Sequence, residues 1–312
     1  MELTLKAKKE ISQALKVYMT EKHLSQDEMS TISNVNIGFI NAIYNGKFVF
    51  QDTQIKDSYF KRIAIAIGYR YESDFWTFQQ TDQFGAIYTE LLDAKVNGNV
   101  KLIIGDTGIG KTYSLNRFKT DFPQNTYVVT VSILSNLNHI LQDLGTALGV
   151  NLTVKRGAVN MNKIVNKLRQ LKEAGKQPIV IIDESENLGL YALKALKGFY
   201  DGLKNHCPLV LIGTTQLLTR LEKLKDKPEP ENGIPQLYRR FKAGIRQIAP
   251  INKDLMFDLF FEESESREVR ELLSSIADNY GELFDYLEHA RREAKRMGVP
   301  LSVQFITDLF KL

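Results

Sequence analysis

Four apolar runs punctuate the middle of the chain: VKLII at 100–104, TYVVTVSI at 126–133, PIVIID at 178–183 and PLVLIG at 208–213. Each is short, rich in β-branched residues and bounded by Gly, Pro or polar positions. That is the pattern of a strand buried on both faces. GIRQIAP at 244–250 supplies a fifth candidate. Between the runs, LNHILQDLGTALGV and MNKIVNKLRQLKEAG space their apolar residues three and four apart, which predicts amphipathic helices. Strands alternating with helices predict an α/β fold with a parallel sheet.

The amino-terminal pattern differs. LSQDEMSTISNVNIGFINAIYNGKF, residues 24–48, reads as two short helices and a turn. Ser25 caps the first helix, with Glu28 completing a capping box. The turn falls at Asn34-Val35, since Asn tolerates the left-handed conformation. Ile37, Ile40 and Ile43 give the second helix an apolar face, and Asn45-Gly46 ends it. The unit resembles the helix-turn-helix of phage repressors. That resemblance implies that Asn36, Gly38 and Asn41 face a DNA groove. Residues 49–80 read as further helices, with Tyr69, Tyr71, Phe75, Trp76 and Phe78 as core or interface rather than a base-stacking platform. The polar run at 79–83 is the best boundary. Residues 251–312 read as mostly helical.

Composition adds two points. Cys207 is the single cysteine, so no internal disulfide can form. No apolar run approaches bilayer length, and the first residues do not read as a signal peptide, so the expected location is the cytoplasm. The net charge of +4 is unevenly spread: +1 over residues 1–80, +8 over 81–250 and −5 over 251–312. An excess of cations in the middle segment suits a polyanion partner.

The chemistry concentrates after the first strand. Gly105, Asp106, Thr107, Gly108, Ile109, Gly110, Lys111, Thr112 and Tyr113 contain G-x-x-x-x-G-K-T between a strand and a helix. Glycines let backbone N–H groups close round phosphate oxygens. Lys111 then reaches the β- and γ-phosphates and Thr112 holds Mg²⁺. The run PIVIID places Asp183 and Glu184 at the carboxyl end of a strand, where α/β folds bind ligands. Asp183 is the candidate Mg²⁺ partner, through its water, and Glu184 the candidate group that polarises attacking water. Thr214, leaving the next strand, is a candidate γ-phosphate sensor; the alternative for Thr214 or Thr215 is a helix cap.

These motifs, in this order, resemble the AAA+ ATPases. Within that group the chain resembles the B transposition proteins of Mu-like phages, on GDTGIGKTYSLNRF, PIVIIDESENL, LVLIGTTQLLTRL and LYRRFKAGIRQIAP. The resemblance implies a helix-turn-helix module at 1–80, an AAA+ core at 81–250 and a helical lid at 251–312. It implies ATP and Mg²⁺ as cofactors, slow DNA-stimulated hydrolysis, an ATP-dependent helical filament on double-stranded DNA, and a transposase as partner. It places the trans-acting arginine at Arg240, with Arg239 second. It places the DNA backbone track at Lys155, Arg156, Lys163 and Lys167. One departure stands out. Where many AAA+ lids carry a sensor arginine, this chain has Phe284, with Arg291 and Arg292 two turns further on. Two other functions remain open: a helicase-loader-like remodelling ATPase, and a non-hydrolysing helix-turn-helix regulator.

Overall fold

Helix α1 (Leu5–Lys22) leads into the predicted pair, α2 (Gln26–Ser33) and α3 (Ile37–Tyr44). The capping box forms: Ser25 accepts from the Glu28 N–H, and the Glu28 carboxylate accepts from the Ser25 N–H at 2.8 Å. Asn34 ends α2 at φ 51, the left-handed turn that its short amide tolerates. A two-residue antiparallel hairpin, β1 (Val49–Phe50) with β2 (Thr53–Gln54), precedes α4 (Asp57–Ala66). Ile11, Leu15, Met29, Ile40, Ile43, Phe60 and Ile63 form the core beneath. Ile37, expected on the apolar face, is 44% exposed. It occupies the first helical position of α3.

Then follow α5 (Asp82–Asn97), β3 (Lys101–Ile104), α6 (Lys111–Asp121), β4 (Thr126–Thr130), α7 (Leu137–Leu148), α8 (Gly157–Glu173) and β5 (Ile179–Asp183). After them come α9 (Leu190–Leu203), β6 (Leu209–Gly213), α10 (Thr215–Lys225), α11 (Ile234–Phe241) and β7 (Ile245–Gln247). The strands pair in the order β4-β5-β6-β3-β7, every pair parallel. Alternation explains the continuous apolar runs. Leu102, Ile104, Val180, Ile182 and Leu211 point into one core, with α7 to α11. Ile103, Ile179, Ile181, Val210 and Ile212 point into another, with α5 and α6. The run at 126–133 leaves the sheet earlier than expected. β4 stops at Thr130, Val131 is still buried, and Ile133 stands in solvent.

The chain ends with α12 (Lys253–Met256), α13 (Arg267–Ile276), α14 (Tyr280–Met297) and α15 (Val303–Phe310). This computed structural model describes residues 3, 5–22, 24–51, 53–69, 76, 78–153, 156–228 and 233–312. Tyr71, Phe75 and Lys155 lie outside the described residues. Two units divide the chain. One gathers residues 1–79, 259–276 and 284–312; the other holds residues 80–258 and 277–283. In the first, Trp76 stacks on Phe260 with ring centroids 4.1 Å apart and meets Phe284 edge-on at 5.3 Å. Arg291 grips Glu265 through two hydrogen bonds of 2.7 and 2.8 Å and donates to the Phe260 carbonyl.

The first residue of β3 carries a buried cation. Lys101 pairs with Glu90 and Asp93 of α5, and Glu90 also meets Arg246 of β7 at 3.1 Å. The Lys101 ammonium, with Asn97 and Asn99, holds the Asp93 carboxyl down at about 2, from a usual 3.8. A carboxyl depressed in the folded state contributes stability above its unfolded pKa and loses it as pH falls. Asp93→Asn should therefore cost about 1–2 kcal/mol at pH 7, discounted for partial exposure. In urea melts, the gap between the native chain and the variant should narrow below pH ~4. A gap that stays constant down to pH ~2.5 would remove Asp93 from this role.

Candidate nucleotide site

The loop after β3 turns on three glycines, Gly105, Gly108 and Gly110. The Gly105 N–H donates to the Gly213 carbonyl at 3.0 Å. A Cβ on Gly105 would fall 2.2 Å from Ile109 Cδ1. Gly108 and Gly110 adopt φ of +77 and +89, the left-handed region that side chains rarely enter. Such turns direct successive N–H groups into a concavity that suits an anion. Helix α6 starts at Lys111, so its positive end adds to that field. The Lys111 ammonium donates to the carbonyls of Gly105 and Asp106, at 2.8 and 2.7 Å. Burial lowers its pKa, while carboxylates nearby act to raise it.

Opposite the loop, Asp183 ends β5 with 1% of its surface exposed. The Thr112 hydroxyl donates to Asp183 Oδ2 at 3.0 Å, and the Glu184 N–H donates to Oδ1 at 2.9 Å. Burial raises the Asp183 carboxyl, and both hydrogen bonds act to lower it. Glu184 sits just beyond, exposed and at a left-handed φ of 52. Its carboxyl is raised, first by burial and then by the charges of Asp183 and Glu186. Thr214 caps α10 by position, yet its hydroxyl makes no capping bond, and Oγ1 is buried with no partner. A buried hydroxyl without a partner is costly, and a phosphate oxygen or water would satisfy it.

The donor set fits a magnesium nucleotide. Mg²⁺ takes one or two protein oxygens and completes its shell with phosphates and waters. Thr112 Oγ1 beside Asp183 offers such a pair. Among the described residues there is no group of three or more His, Cys, Asp or Glu side chains that could hold a metal alone.

Four residues of the site escaped the sequence. Glu186 Oε2 accepts from the Thr214 N–H at 3.3 Å. The Asn187 amide donates to the Val131 carbonyl at 2.9 Å and to Glu184 Oε2 at 3.4 Å. Arg220 donates to the carbonyls of Glu186 and Leu188 and holds this segment in place. Asn279, just before α14, stands over the loop: a Cβ on Gly108 would lie 2.1 Å from its Oδ1. Tyr280 fixes that position by donating to Gln83 at 2.6 Å, and Gln83 donates to the carbonyls of Ala249 and Pro250. Glu186 and Asn187 were within reach in DESEN; Asn279 carried no local signal.

The expected arginines are placed differently. Arg240 pairs with Asp201 at 3.2 Å and lies over the Tyr200 ring. Arg239 is exposed and makes no ion pair among the described residues. Arg291 is consumed by Glu265, and Arg292 pairs with Glu288 at 3.3 Å. Phe284 packs on Trp76.

The predicted DNA contacts are also spread. Arg156 is exposed at the start of α8. Lys163 donates to the Asn151 carbonyl and to Thr153, Lys167 is half-buried one turn on, and Arg169 is bound to the Gly202 carbonyl. In the amino-terminal unit, Asn36 Oδ1 accepts from the Gly38 N–H and caps α3. Asn41 Oδ1 accepts from Asn45 and Gln26. Gly38 faces Phe50 rather than open space: a Cβ there would fall 2.9 Å from that ring.

Known proteins share this architecture. Residues 95–221 match the family model of the AAA domain. The Mu-like prophage FluMu DNA transposition protein B of Haemophilus influenzae is 24% identical over 212 residues, 67% of this chain and 70% of its own length. The ATP-dependent target DNA activator B of Escherichia phage Mu is 25% identical over 145 residues, 46% of this chain and 44% of its own. Among solved structures, Cdc6p of Pyrobaculum aerophilum superposes with a TM-score of 0.55 at 17% identity, over 70% of this chain and 62% of that one. The ORC2 protein of Aeropyrum pernix gives 0.53 at 18% identity, over 72% and 66%. The chain carries the AAA+ P-loop fold, and its relatives in sequence are the B transposition proteins of Mu-like phages.

Proposed function

We propose that this chain is an ATP-dependent, DNA-binding AAA+ ATPase that assembles on duplex DNA as a filament and delivers it to a Mu-like transposase. The observation that carries the reading is the Thr112–Asp183 hydrogen bond with Glu184 beside it. That geometry is what a phosphate loop and a metal-orienting carboxylate need. The printed names of its relatives, a DNA transposition protein and ATP-dependent target DNA activators, support the biological setting. Residues 81–250 form the ATPase core in this reading, 1–80 an accessory DNA-binding module and 251–312 the lid.

Each residue then has a task. The loop N–H groups and Lys111 bind the phosphates. Thr112 and Asp183 would hold a hydrated Mg²⁺, which would supply charge neutralisation for the phosphates. Glu184 accepts the proton of the attacking water, and Asn187 keeps its carboxylate in place. Thr214 supplies a hydrogen bond at the γ-phosphate position. An arginine from a neighbouring subunit completes the site. Arg239 fits that task better than Arg240, because it is exposed and makes no ion pair among the described residues, whereas Arg240 is held by Asp201. Asn279 stands over the loop at the head of α14, and Phe284 takes the position of the lid arginine, which accords with slow turnover. Arg156, Lys163 and Lys167, with Lys155, contribute backbone contacts.

Lys111→Ala should abolish ATP binding and, with it, tight DNA binding, read by filter binding with labelled nucleotide. Unchanged affinities for both would sink the coupled mechanism. Glu184→Gln should keep ATP affinity while turnover falls roughly a hundredfold or more, leaving long-lived DNA complexes. Hydrolysis at the parental rate would remove Glu184 from its role.

Mixing tests the arginine. Arg239→Ala should bind ATP but lose turnover, on the order of a thousandfold in related chemistry. Combined with Lys111→Ala it should regain measurable ATPase, because some interfaces pair an intact loop with an intact arginine. Two variants that co-assemble on DNA without any recovery would exclude Arg239. Recovery with Arg240→Ala in its place would return the role to that residue.

A further inference from the structure

The amino ends of β5 and β6 frame a groove of about 370 Å³, at the opposite end of the sheet from the nucleotide loop. Lys95, Val96, Lys172, Tyr200, Lys204 and His206 line it, and among the described residues no carboxylate does. The acids on adjoining elements are engaged elsewhere: Asp93 by Lys101, and Asp201 by Lys197 and Arg240. Lys95 donates to the Gln177 carbonyl at 2.8 Å. Lys172 and Lys204 are exposed and make no ion pair among the described residues. Helices α5, α8 and α9 all end here, and each C-terminus carries roughly half a negative elementary charge. Three lysines exceed that sum, so the groove is cationic with an apolar wall.

The complementary surface lies at the other end of the same core. β7 leaves the sheet at its carboxyl end and leads into α12 and the turn after it. There Asp254, Leu255 and Asp258 are exposed, Leu255 by 59%. Met256 and Phe257 between them are buried, and Phe257 meets Tyr280 with ring centroids 5.9 Å apart, which holds the turn in shape. Its one cation, Lys253, is bound to Asp278 at 2.7 Å. The result is an aliphatic side chain beside two acids, in a segment, 251–312, whose net charge is −5. Groove and turn match in charge and in apolar content. No chain can join its own pair, because the two stand at opposite ends of one sheet. A match between different surfaces of one molecule is heterologous and builds an open row of copies.

We infer that the Asp254–Asp258 turn of one copy docks in the Lys172–Lys204 groove of the next. The inference rests on the proposed filament and adds to it a contact that uses neither the nucleotide nor an arginine finger. A groove of this size buries less than the ~1,200 Å² of a stable complex. The contact is therefore weak alone and counts where DNA holds copies at high effective concentration.

Charge exchange in the full chain tests it. Lys172→Glu with Lys204→Glu sets acids against acids, and Asp254→Lys with Asp258→Lys sets cations against cations. With Mg²⁺-ATP, each pair should need roughly tenfold more protein to cover a long duplex. All four changes in one chain reverse both surfaces at the native net charge, so coverage should return. Each variant should bind a fluorescent ATP analogue, and a duplex too short for two copies, as the native chain does, which shows that it is folded. If Asp258→Lys harms the fold, Asp254→Lys against Lys204→Glu repeats the exchange. Lys204→Cys with Leu255→Cys in one chain, oxidised on DNA, should give a ladder of multimers, and either alone nothing above a dimer; Cys207 is buried and does not compete. Coverage that neither pair alters overturns the docking alone. So does a lysine pair that weakens short-duplex binding without recovery in the fourfold variant, which would mark the groove as a DNA contact. A lysine pair that acts while the aspartate pair changes nothing overturns it too, in favour of a different acidic partner. A native chain that never covers long DNA cooperatively overturns the functional reading as well.

Discussion

The site depends on one buried carboxylate. Asp183 gives up hydration at the end of β5, and that cost is tolerable only because its two oxygens accept from the Thr112 hydroxyl and the Glu184 N–H. These bonds set where the phosphate loop must lie. β3 and β5 are not neighbours; β6 runs between them. The loop must therefore reach across the end of β6, and β6 ends in Gly213. A Cβ on Gly213 would fall 2.8 Å from Glu186 Oε2 and 3.1 Å from Leu217. The same glycine accepts from the Gly105 N–H through its carbonyl. A larger residue there would have to displace the Glu186 carboxylate that accepts from the Thr214 N–H.

That arrangement accounts for what was legible in the sequence. The strands were readable because both sheet faces are covered, so β3 is apolar after Lys101 and β5 and β6 are apolar up to their last residue. The loop and Asp183-Glu184 were readable because their geometry is local to one turn each. The end of β4 was not, since Val131 continues the apolar run and only tertiary pairing shows that Thr130 is the last ladder residue. Ile133 reads like a strand residue and is a surface one. Asn279 was invisible for another reason: its neighbour Gly108 is far away in sequence, and the bonds that place Tyr280 run to Gln83 at the opposite end of the fold's primary order.

The arginines teach a related lesson. Arg291 and Arg292 lie two turns beyond Phe284, where the resemblance expects a sensor arginine, and both have partners of their own. Breaking the two-pronged Arg291–Glu265 pair would leave a buried charge alone, so this cation is committed to structure. Arg240 is committed in the same manner, more weakly, through Asp201 and the Tyr200 ring. Sequence spacing names cations near a site; only their partners show which remain free to meet a phosphate.

The same reasoning bears on the amino-terminal unit. α3 was read as a groove-facing helix because of Asn36, Gly38 and Asn41. In the folded unit Asn36 caps its own helix, Asn41 is shared by Asn45 and Gln26, and Gly38 makes room for Phe50. A base edge would have to compete with bonds already made. Phosphate binding would have little to draw on either, since residues 1–80 carry a net charge of only +1 against +8 for residues 81–250. Affinity for a polyanion follows the cations. In the proposed function the phosphate contacts therefore draw on residues 81–250, Arg156 at the head of α8 among them, while at the nucleotide site the Asn187 amide reaches both the Val131 carbonyl and the Glu184 carboxylate. A shift of the segment after β4 would therefore be felt at the carboxylate proposed to activate water.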